Sequence, residues 1–323
     1  MSDLIEKCTV CQALIDQEDL FCANCGAEAP KRDESRQHRS ETARHAFECS
    51  GCGASMSYDA AAGSLRCPFC ASVDLVAQAD HKALAPQRVA PFQLNRDEAV
   101  QIMRRWLGRG FWRPGDLSES AAVVTMTPVY VPYWVFEATT HTYWTADTSR
   151  TPSGARGDWY PLTGEHRGRY EGLLVGASGA LTPGETAALC PFDLDRGVTP
   201  DQVDLENVTV EQFAVARKYA RPLARAGLEA AEANTCDAQY VPDRSRNLKV
   251  NVRIEGLTSQ PVLLPIWIMA YRYRDRVFRF VANGQSGKAT GSAPVSMFKI
   301  AAALGIGLSL MLLALLIAVL AAR

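Results

Sequence analysis

The sequence has few of the groups that mark enzymes and nucleic-acid-binding proteins. Its 323 residues include five histidines, and the formal net charge is −1. This balance lacks the positive footprint that phosphate binding requires, so nucleic acid is not the expected partner. The chain has no HExxH, GxSxG or Walker A motif, and no GxGxxG follows a strand pattern. These absences remove the usual metalloprotease, hydrolase, nucleotide and dinucleotide signatures, and we expect no enzyme and no catalytic residue.

Two further absences bear on the fold and the compartment. No signal-peptide pattern precedes the first cysteine, so we expect a reducing environment in which disulfides are rare. The chain is 47% apolar and 21% charged, unlike a disordered or collagen-like protein. Its length suits one sizeable domain with small modules attached.

The cysteines that are present follow a strict pattern. Eight of the ten form four CxxC pairs, which fall into two sets: Cys8, Cys11, Cys22 and Cys25, then Cys49, Cys52, Cys67 and Cys70. Two residues between ligands allow both sulfurs of a pair to face one ion, so each set predicts a closed Zn²⁺ site in a zinc ribbon. The alternatives are disulfides and a redox CxxC, which four clustered pairs do not favour. We interpret the isolated Cys190 and Cys236 as ordinary buried thiols.

The C-terminal segment is uniformly apolar. Residues 300–322 carry no charge, and at 1.5 Å per residue they span about 35 Å, enough for a hydrocarbon core of about 30 Å. We therefore predict a transmembrane helix over 299–322. Basic residues precede the span more often than they follow it, which predicts a cytoplasmic N-terminal side. The small residues Ala301, Gly305 and Ser309 suit packing of two spans, so a homo-oligomer stays open.

We expect an α+β protein with six segments. They are a zinc ribbon over 1–30, a charged linker over 31–45, a second zinc ribbon over 46–78, a linker over 79–91, an α+β domain over 92–290, and the transmembrane helix.

Within the domain, local signals predict individual elements. Asn95 and Glu98 match a capping box at the start of a helix that ends near Gly108. Residues 121–146 are typical of a hairpin, and strands are expected near 159–175, 248–257, 262–273 and 276–282. The segment 209–212 matches a second capping box, which predicts a helix through about Ala233.

One short motif occurs twice. The sequence PVxxPxW spans residues 128–134 and again 261–267, which suggests two related β units. Its tryptophans, Trp134 and Trp267, would either line an aromatic groove for a peptide or lipid or anchor the core. The second interpretation is the one we favour.

Several blocks of the chain together resemble a known family. They are CSGCGASMSYDAAAGSLRCPFC, APFQLNRDEAVQIMRRWLGRGFWRPGDL, VYVPYWVFEATTHTYWTAD, LLVGAS and LLPIWIMAYRYRDRVFRFVANGQSGKATGSAP, ahead of the apolar span. They resemble a bacterial family of zinc-ribbon membrane proteins often labelled as similar to the primosomal protein N′ (replication factor Y) helicase. Without a Walker A or DEAH-like motif, helicase activity is not carried over. The resemblance implies a membrane component found near phage-shock and SPFH proteins.

The sequence and the resemblance together predict a tail-anchored adaptor in the bacterial inner membrane. Its zinc ribbons would recruit a protein partner, and the resemblance implies that this partner is of the SPFH or phage-shock type and acts in envelope stress. Two alternatives stay open. One is a nucleic-acid-binding zinc-ribbon protein, and the other is a lipid- or small-molecule-binding module in residues 92–290.

Overall fold

The computed structural model describes residues 6–12, 14–15, 22, 27, 40–43, 46–57, 66–78, 81–205 and 208–321. Within these ranges the chain is a mixed α+β protein with a ten-stranded sheet and one apolar helix at its C-terminal end, which confirms the coarse fold class.

The elements, in chain order, are as follows. The strands are β1 (Glu6–Lys7), β2 (Leu14–Ile15), β3 (Ser40–Ala43), β4 (Ala46–Cys49), β5 (Ser55–Ser57), β6 (Leu75–Ala77), β7 (His81–Leu84), β8 (Arg88–Val89), β9 (Ala122–Thr148), β10 (Tyr160–Gly176), β11 (Thr209–Glu211), β12 (Ser245–Tyr273), β13 (Arg276–Asn283) and β14 (Ala289–Gly291). The helices are α1 (Arg96–Leu107), α2 (Leu117–Ser120), α3 (Pro183–Leu189), α4 (Arg217–Tyr240) and α5 (Met297–Ala321).

Two very long strands organise the sheet. β9 has 27 residues and β12 has 29, and they pair antiparallel from Ala122 opposite Arg272 to Thr148 opposite Ser245. The hairpin predicted within 121–146 is wrong, because that segment is one strand paired with β10 and β12. Neither glycine nor asparagine occurs there to make a tight turn, so the alternating pattern continues unbroken.

Two β-bulges lie beside each other in the sheet and divide it into two parts. The register of β10 against β9 shifts between Tyr170 and Leu173, and that of β12 shifts between Glu255 and Thr258. Gly172 and Gly256 lie in these bulges with φ of 78° and 61°, which only glycine adopts easily. From the bulges toward the Ala122 end of β9, both faces of the sheet are covered, and we call this part the lower sheet. Toward Thr148, the strands β9, β10 and β12 continue as an arm.

Alternate residues of β12 point into two different hydrophobic cores, one on each face of the lower sheet. Trp267, Met269 and Tyr271 pack against α1 and α2. Leu264, Ile266 and Ile268 point to the opposite core, which includes residues of α3 and the second ribbon. The predicted capping box of α1 is confirmed, with Asn95 accepting from the amide of Glu98 and Glu98 accepting from the amide of Asn95.

The arm is covered on one face by α4. Trp144 and Ala146 of β9 pack with Cys236 of that helix. The helix predicted from residue 209 is wrong in its start, because 209–211 form β11 and α4 begins at Arg217. β11 pairs with β9 on one side and with β5 on the other, and this pairing outweighs the local capping signal.

The two copies of PVxxPxW lie side by side in the sheet. Pro128 is opposite Trp267, Trp134 is opposite Pro261, and Val131 is opposite Leu264 at the centre. Each indole is buried and donates to a backbone carbonyl, Trp134 to Val215 at 2.8 Å and Trp267 to Leu94 at 3.0 Å. The tryptophans are therefore core anchors, as favoured. Whether the motif marks two related β units stays a prediction.

Residues assigned to the linkers also form strands. β3 and β7 pair antiparallel, with Ser40 opposite Leu84 and Ala43 opposite His81. β8 pairs with β12. The remainder of the first linker, 31–39 and 44–45, lies outside the described residues.

Candidate metal centres

Four cysteine thiols converge in the second ribbon. The Sγ atoms lie within 4.8 Å of one another and belong to Cys49, Cys52, Cys67 and Cys70. The Cys49–Cys70 and Cys52–Cys67 sulfur pairs are each 3.5 Å apart. Tetrahedral coordination with metal–sulfur bonds of about 2.3 Å needs sulfurs about 3.8 Å apart. The four thiols therefore fit one tetrahedrally coordinated ion. This confirms that they form one cluster able to hold a metal, whereas the choice of zinc stays a prediction.

The backbone turns that present these sulfurs are alike in both pairs. The amide of Gly53 donates to Cys49 O at 2.8 Å, and the amide of Ala71 donates to Cys67 O at 2.8 Å. Gly53 has φ of 73° and Ala71 has φ of 63°. A left-handed residue after the second cysteine of each pair turns the chain so that its amide reaches the carbonyl of the first cysteine. Glycine adopts this conformation freely, whereas alanine pays about 1 kcal/mol.

The first ribbon repeats this turn. The amide of Gln12, with φ of 59°, donates to Cys8 O at 3.0 Å. The described thiols, whose Sγ atoms lie within 4.8 Å of one another, are those of Cys8, Cys11 and Cys22. Cys25, the fourth predicted ligand, lies outside the described residues. The three thiols can hold a metal ion, which supports the predicted second site.

The thiols of the second ribbon differ in how readily they lose their protons. The hydrogen bond between the Cys52 and Cys67 thiols lowers the pKa of Cys52 to about 5 and raises the pKa of Cys67 far above its ordinary value. Burial raises the pKa of Cys70 to about 11. Metal binding must displace the remaining protons, so acid pH weakens the site.

The second ribbon shares its core with the large domain. Cys49, Met56 and Phe69 belong to the same buried cluster as Val131 and Leu264 of the two long strands. β4 and β6 extend the ten-stranded sheet beyond β5. The ribbon is therefore part of the folding unit rather than a free arm.

A buried carboxylate lies where the ribbon meets the domain. Oε1 of Glu211 accepts hydrogen bonds from the Ser178 hydroxyl at 2.7 Å and from the amides of Gly179 and Ala180 at 2.9 and 3.1 Å. Its Oε2 is buried and has no hydrogen-bond partner among the described residues. Burial raises the pKa of Glu211 to about 7, despite the opposing effect of these three donors.

A second buried carboxylate belongs to α4 and faces the arm. Glu232 is fully buried and accepts from the hydroxyl of Thr140, and its Oε2 is 3.9 Å from Nε2 of His166. Neither carboxylate was predicted from the sequence. Glu232 had a visible signal, since it lies four residues from Leu228 and Cys236 on the apolar stripe of the helix. Glu211 was hidden by the capping-box pattern.

The two isolated cysteines lie outside the sulfur clusters. Cys236 lies on the buried face of α4, whereas Cys190 is half-buried and donates to Thr186 O at 3.4 Å. Burial raises the pKa of both thiols. This environment suits ordinary, unreactive thiols, as predicted.

The C-terminal helix is long and apolar enough to cross a membrane. α5 spans 25 residues, and its window Met297–Ala314 has a mean hydropathy of 2.0 with none of the window buried. The hydroxyl of Ser309 donates to Gly305 O at 2.8 Å and so is satisfied within the helix. Ala322, the last residue of the predicted span, lies outside the described residues.

The fold and the sulfur clusters define an α+β protein with two cysteine ribbons and a C-terminal apolar helix. The chain is similar to the uncharacterized protein YdjG of Bacillus subtilis (strain 168), with 25% identity over 313 residues that cover 79% of this chain and 92% of that protein. No family model matches the chain, and no solved structure matches it. The resemblance to the helicase-labelled family therefore stays a prediction.

Proposed function

We propose that this protein is a membrane-anchored adaptor that binds two structural Zn²⁺ ions and recruits a protein partner through its first ribbon. The ions would be held by the four cysteines of each set, and zinc is the metal best suited to four thiolates in tetrahedral geometry. Such an ion stabilises the surrounding fold and leaves no open coordination position for catalysis.

The observation that carries the proposal is the different packing of the two ribbons. The second ribbon is built into the domain core, whereas the described part of the first forms its own cluster of Cys8, Ile15 and Cys22 with Cys11 and Ala27. The first ribbon is thus the one suited to contact another protein. Residues 1–30 contain one lysine against six acidic residues, which favours a basic partner surface.

Anchoring supplies the second half of the mechanism. With α5 in the inner membrane and the ribbons in the cytoplasm, a bound partner is held near the bilayer at high local concentration. By the family resemblance, the partner is a protein of the SPFH or phage-shock type.

The test is a detergent-solubilised pull-down from the native host with three full-length proteins. Wild type and Cys190→Ser are expected to recover the same partner, and Cys8→Ser/Cys22→Ser is expected to lose it. Cys190→Ser controls for cysteine replacement at a site outside the clusters. Equal recovery by the double variant would contradict docking through the first ribbon, and recovery of nucleic acid in a salt-sensitive manner would favour the alternative function.

A further inference from the structure

The loop between α1 and α2 exposes two neighbouring aromatic side chains. Phe111 is 73% exposed and Trp112 is 46% exposed, and their rings meet edge to face with centroids 5.0 Å apart. Side chains of this size usually help to fill a core, and here they remain exposed to solvent. Arg109 precedes the pair and is exposed as well.

This loop is fixed to the first turn of the apolar helix. The amide of Ser296 donates to Trp112 O at 2.7 Å, and Nζ of Lys299 donates to Arg113 O at 2.8 Å. The same Nζ lies 5.9 Å from the centre of the Phe111 ring. Phe111 and Trp112 therefore lie at the level where α5 begins.

The loop is also held from the domain side. The Arg113 guanidinium lies over the Trp106 ring at 3.8 Å from its centroid and donates to Trp106 O. Burial lowers the pKa of Arg113, but a guanidinium remains charged at neutral pH. The aromatic pair is thus positioned by α1 on one side and by α5 on the other.

A basic hairpin turn is joined to the loop by a hydrogen bond. The hydroxyl of Tyr273, next to the β12–β13 turn, donates to Oδ1 of Asp116 at 2.8 Å. Arg272, Arg274 and Arg276 around that turn are exposed. The carboxylates nearby in the chain are those of Asp116, Glu119 and Asp275, so cations remain in excess once Arg109 and Lys299 are included.

We propose that Phe111 and Trp112, with Arg109 and the basic β12–β13 turn, form a second membrane contact that seats the domain on an anionic lipid surface beside α5. Aromatic side chains favour the interface between headgroups and acyl chains, and nearby arginines favour anionic headgroups. Continuity with α5 identifies the occupant, because exposed Met297 and Phe298 carry the apolar surface from this level into the helix. The inference rests on α5 crossing a bilayer and is independent of the adaptor's partner.

The test uses the full chain in lipid nanodiscs that contain phosphatidylglycerol and lipids brominated near the headgroup end of the acyl chain. Bromine quenches tryptophan emission only on close approach. We expect a quenched fraction in wild type that Trp112→Phe loses. Trp159→Phe is the matched control, since Trp159 lies under Arg246 at the far end of the arm and its loss should leave the amount of quenched emission unchanged.

Two outcomes would overturn the inference, and they are distinguishable. If the chain enters the nanodisc and Trp112→Phe keeps the wild-type quenched fraction, the aromatic pair does not touch lipid and a protein contact becomes the better explanation. If the chain does not enter the nanodisc, the membrane span fails together with this contact. The role of charge is read separately from Arg274→Gln, which should reduce quenching in anionic lipid toward the level in phosphatidylcholine alone.

Discussion

Glu211 accepts a 2.7 Å hydrogen bond from the hydroxyl of Ser178 inside the protein, between the second ribbon and the long sheet. β11, which carries Glu211, pairs with the ribbon strand β5 and with β9, so this carboxylate lies between the metal-binding segment and the domain. Within the described part of the chain, Oε1 has hydrogen-bond partners and the buried Oε2 has none. A protonated carboxyl suits that environment better than an ionised one.

Glu211→Gln is expected to remove a pH-dependent part of the stability. Burial raises the pKa of Glu211 from 4.5 to about 7, so between these values the folded protein holds a proton that the unfolded chain has released. Stability therefore falls as pH rises through this window, by up to roughly 3 kcal/mol, and stays level above it.

The measurement for Glu211 is chemical unfolding of both proteins between about pH 5 and pH 8. Subtracting the variant's profile from that of wild type cancels the effect of acid on the metal sites, which has the opposite sign. Metal content is followed at each pH as the control. Parallel profiles for the two proteins would contradict the assignment.

Local and compositional signals in the sequence predicted the features that depend on few neighbours. The cysteine spacing located the sulfur clusters, the Asn95–Glu98 pair located the start of α1, and the apolar run located α5. These follow from ligand geometry, hydrogen bonds three residues apart and uniform hydropathy, which all act within a short segment.

What escaped prediction depends on distant partners. Residues 209–211 read as the start of a helix, but pairing with β5 and β9 makes them a strand. The burial of the second ribbon in the domain core has no local signature, since its contacts with Val131 and Leu264 cross long stretches of chain. The length of β9 was missed because an unbroken alternating pattern fits one long strand as well as two short ones.

In the second ribbon, the turns that end at Gly53 and Ala71 have similar backbone angles, so exchanging glycine and alanine at these two positions should have opposite effects. Gly53→Ala is expected to cost about 1 kcal/mol, because φ of 73° disfavours a side chain. No atom of the described residues beyond its chain neighbours lies within 4 Å of the added Cβ, so the loss is conformational rather than steric. Ala71→Gly, at φ of 63°, is expected to be neutral or to gain up to about 1 kcal/mol. Thermal unfolding of both variants tests this, and equal destabilisation by both changes would rule it out.

Arg279→Gln is expected to destabilise the domain by about 1–3 kcal/mol. One Nη2 atom of Arg279 lies 2.7 Å from both carboxylate oxygens of Glu185, and Nη1 donates to Ala180 O at 3.1 Å. This arginine therefore braces α3 against β13. Arg276→Gln is the matched control, because Arg276 is exposed and its loss should change stability little. Urea unfolding distinguishes the two, and equal effects would show that the ion pair contributes nothing specific.

Replacing one cysteine in each ribbon should separate the roles of the two metal sites. Wild type is expected to hold about two ions per chain and each variant about one, because serine is a poor substitute for a thiolate. Cys67→Ser should also lower the melting temperature of the whole domain, since the second ribbon contributes Cys49, Met56 and Phe69 to the main core. Cys8→Ser should leave that transition nearly unchanged, because Cys8 belongs to the separate small cluster.

Metal analysis with calorimetry on detergent-solubilised protein gives both readings, and Cys190→Ser should match wild type in each. If Cys67→Ser lost its ion and kept the wild-type transition, the second ribbon would be an appendage and its packing would not stabilise the domain.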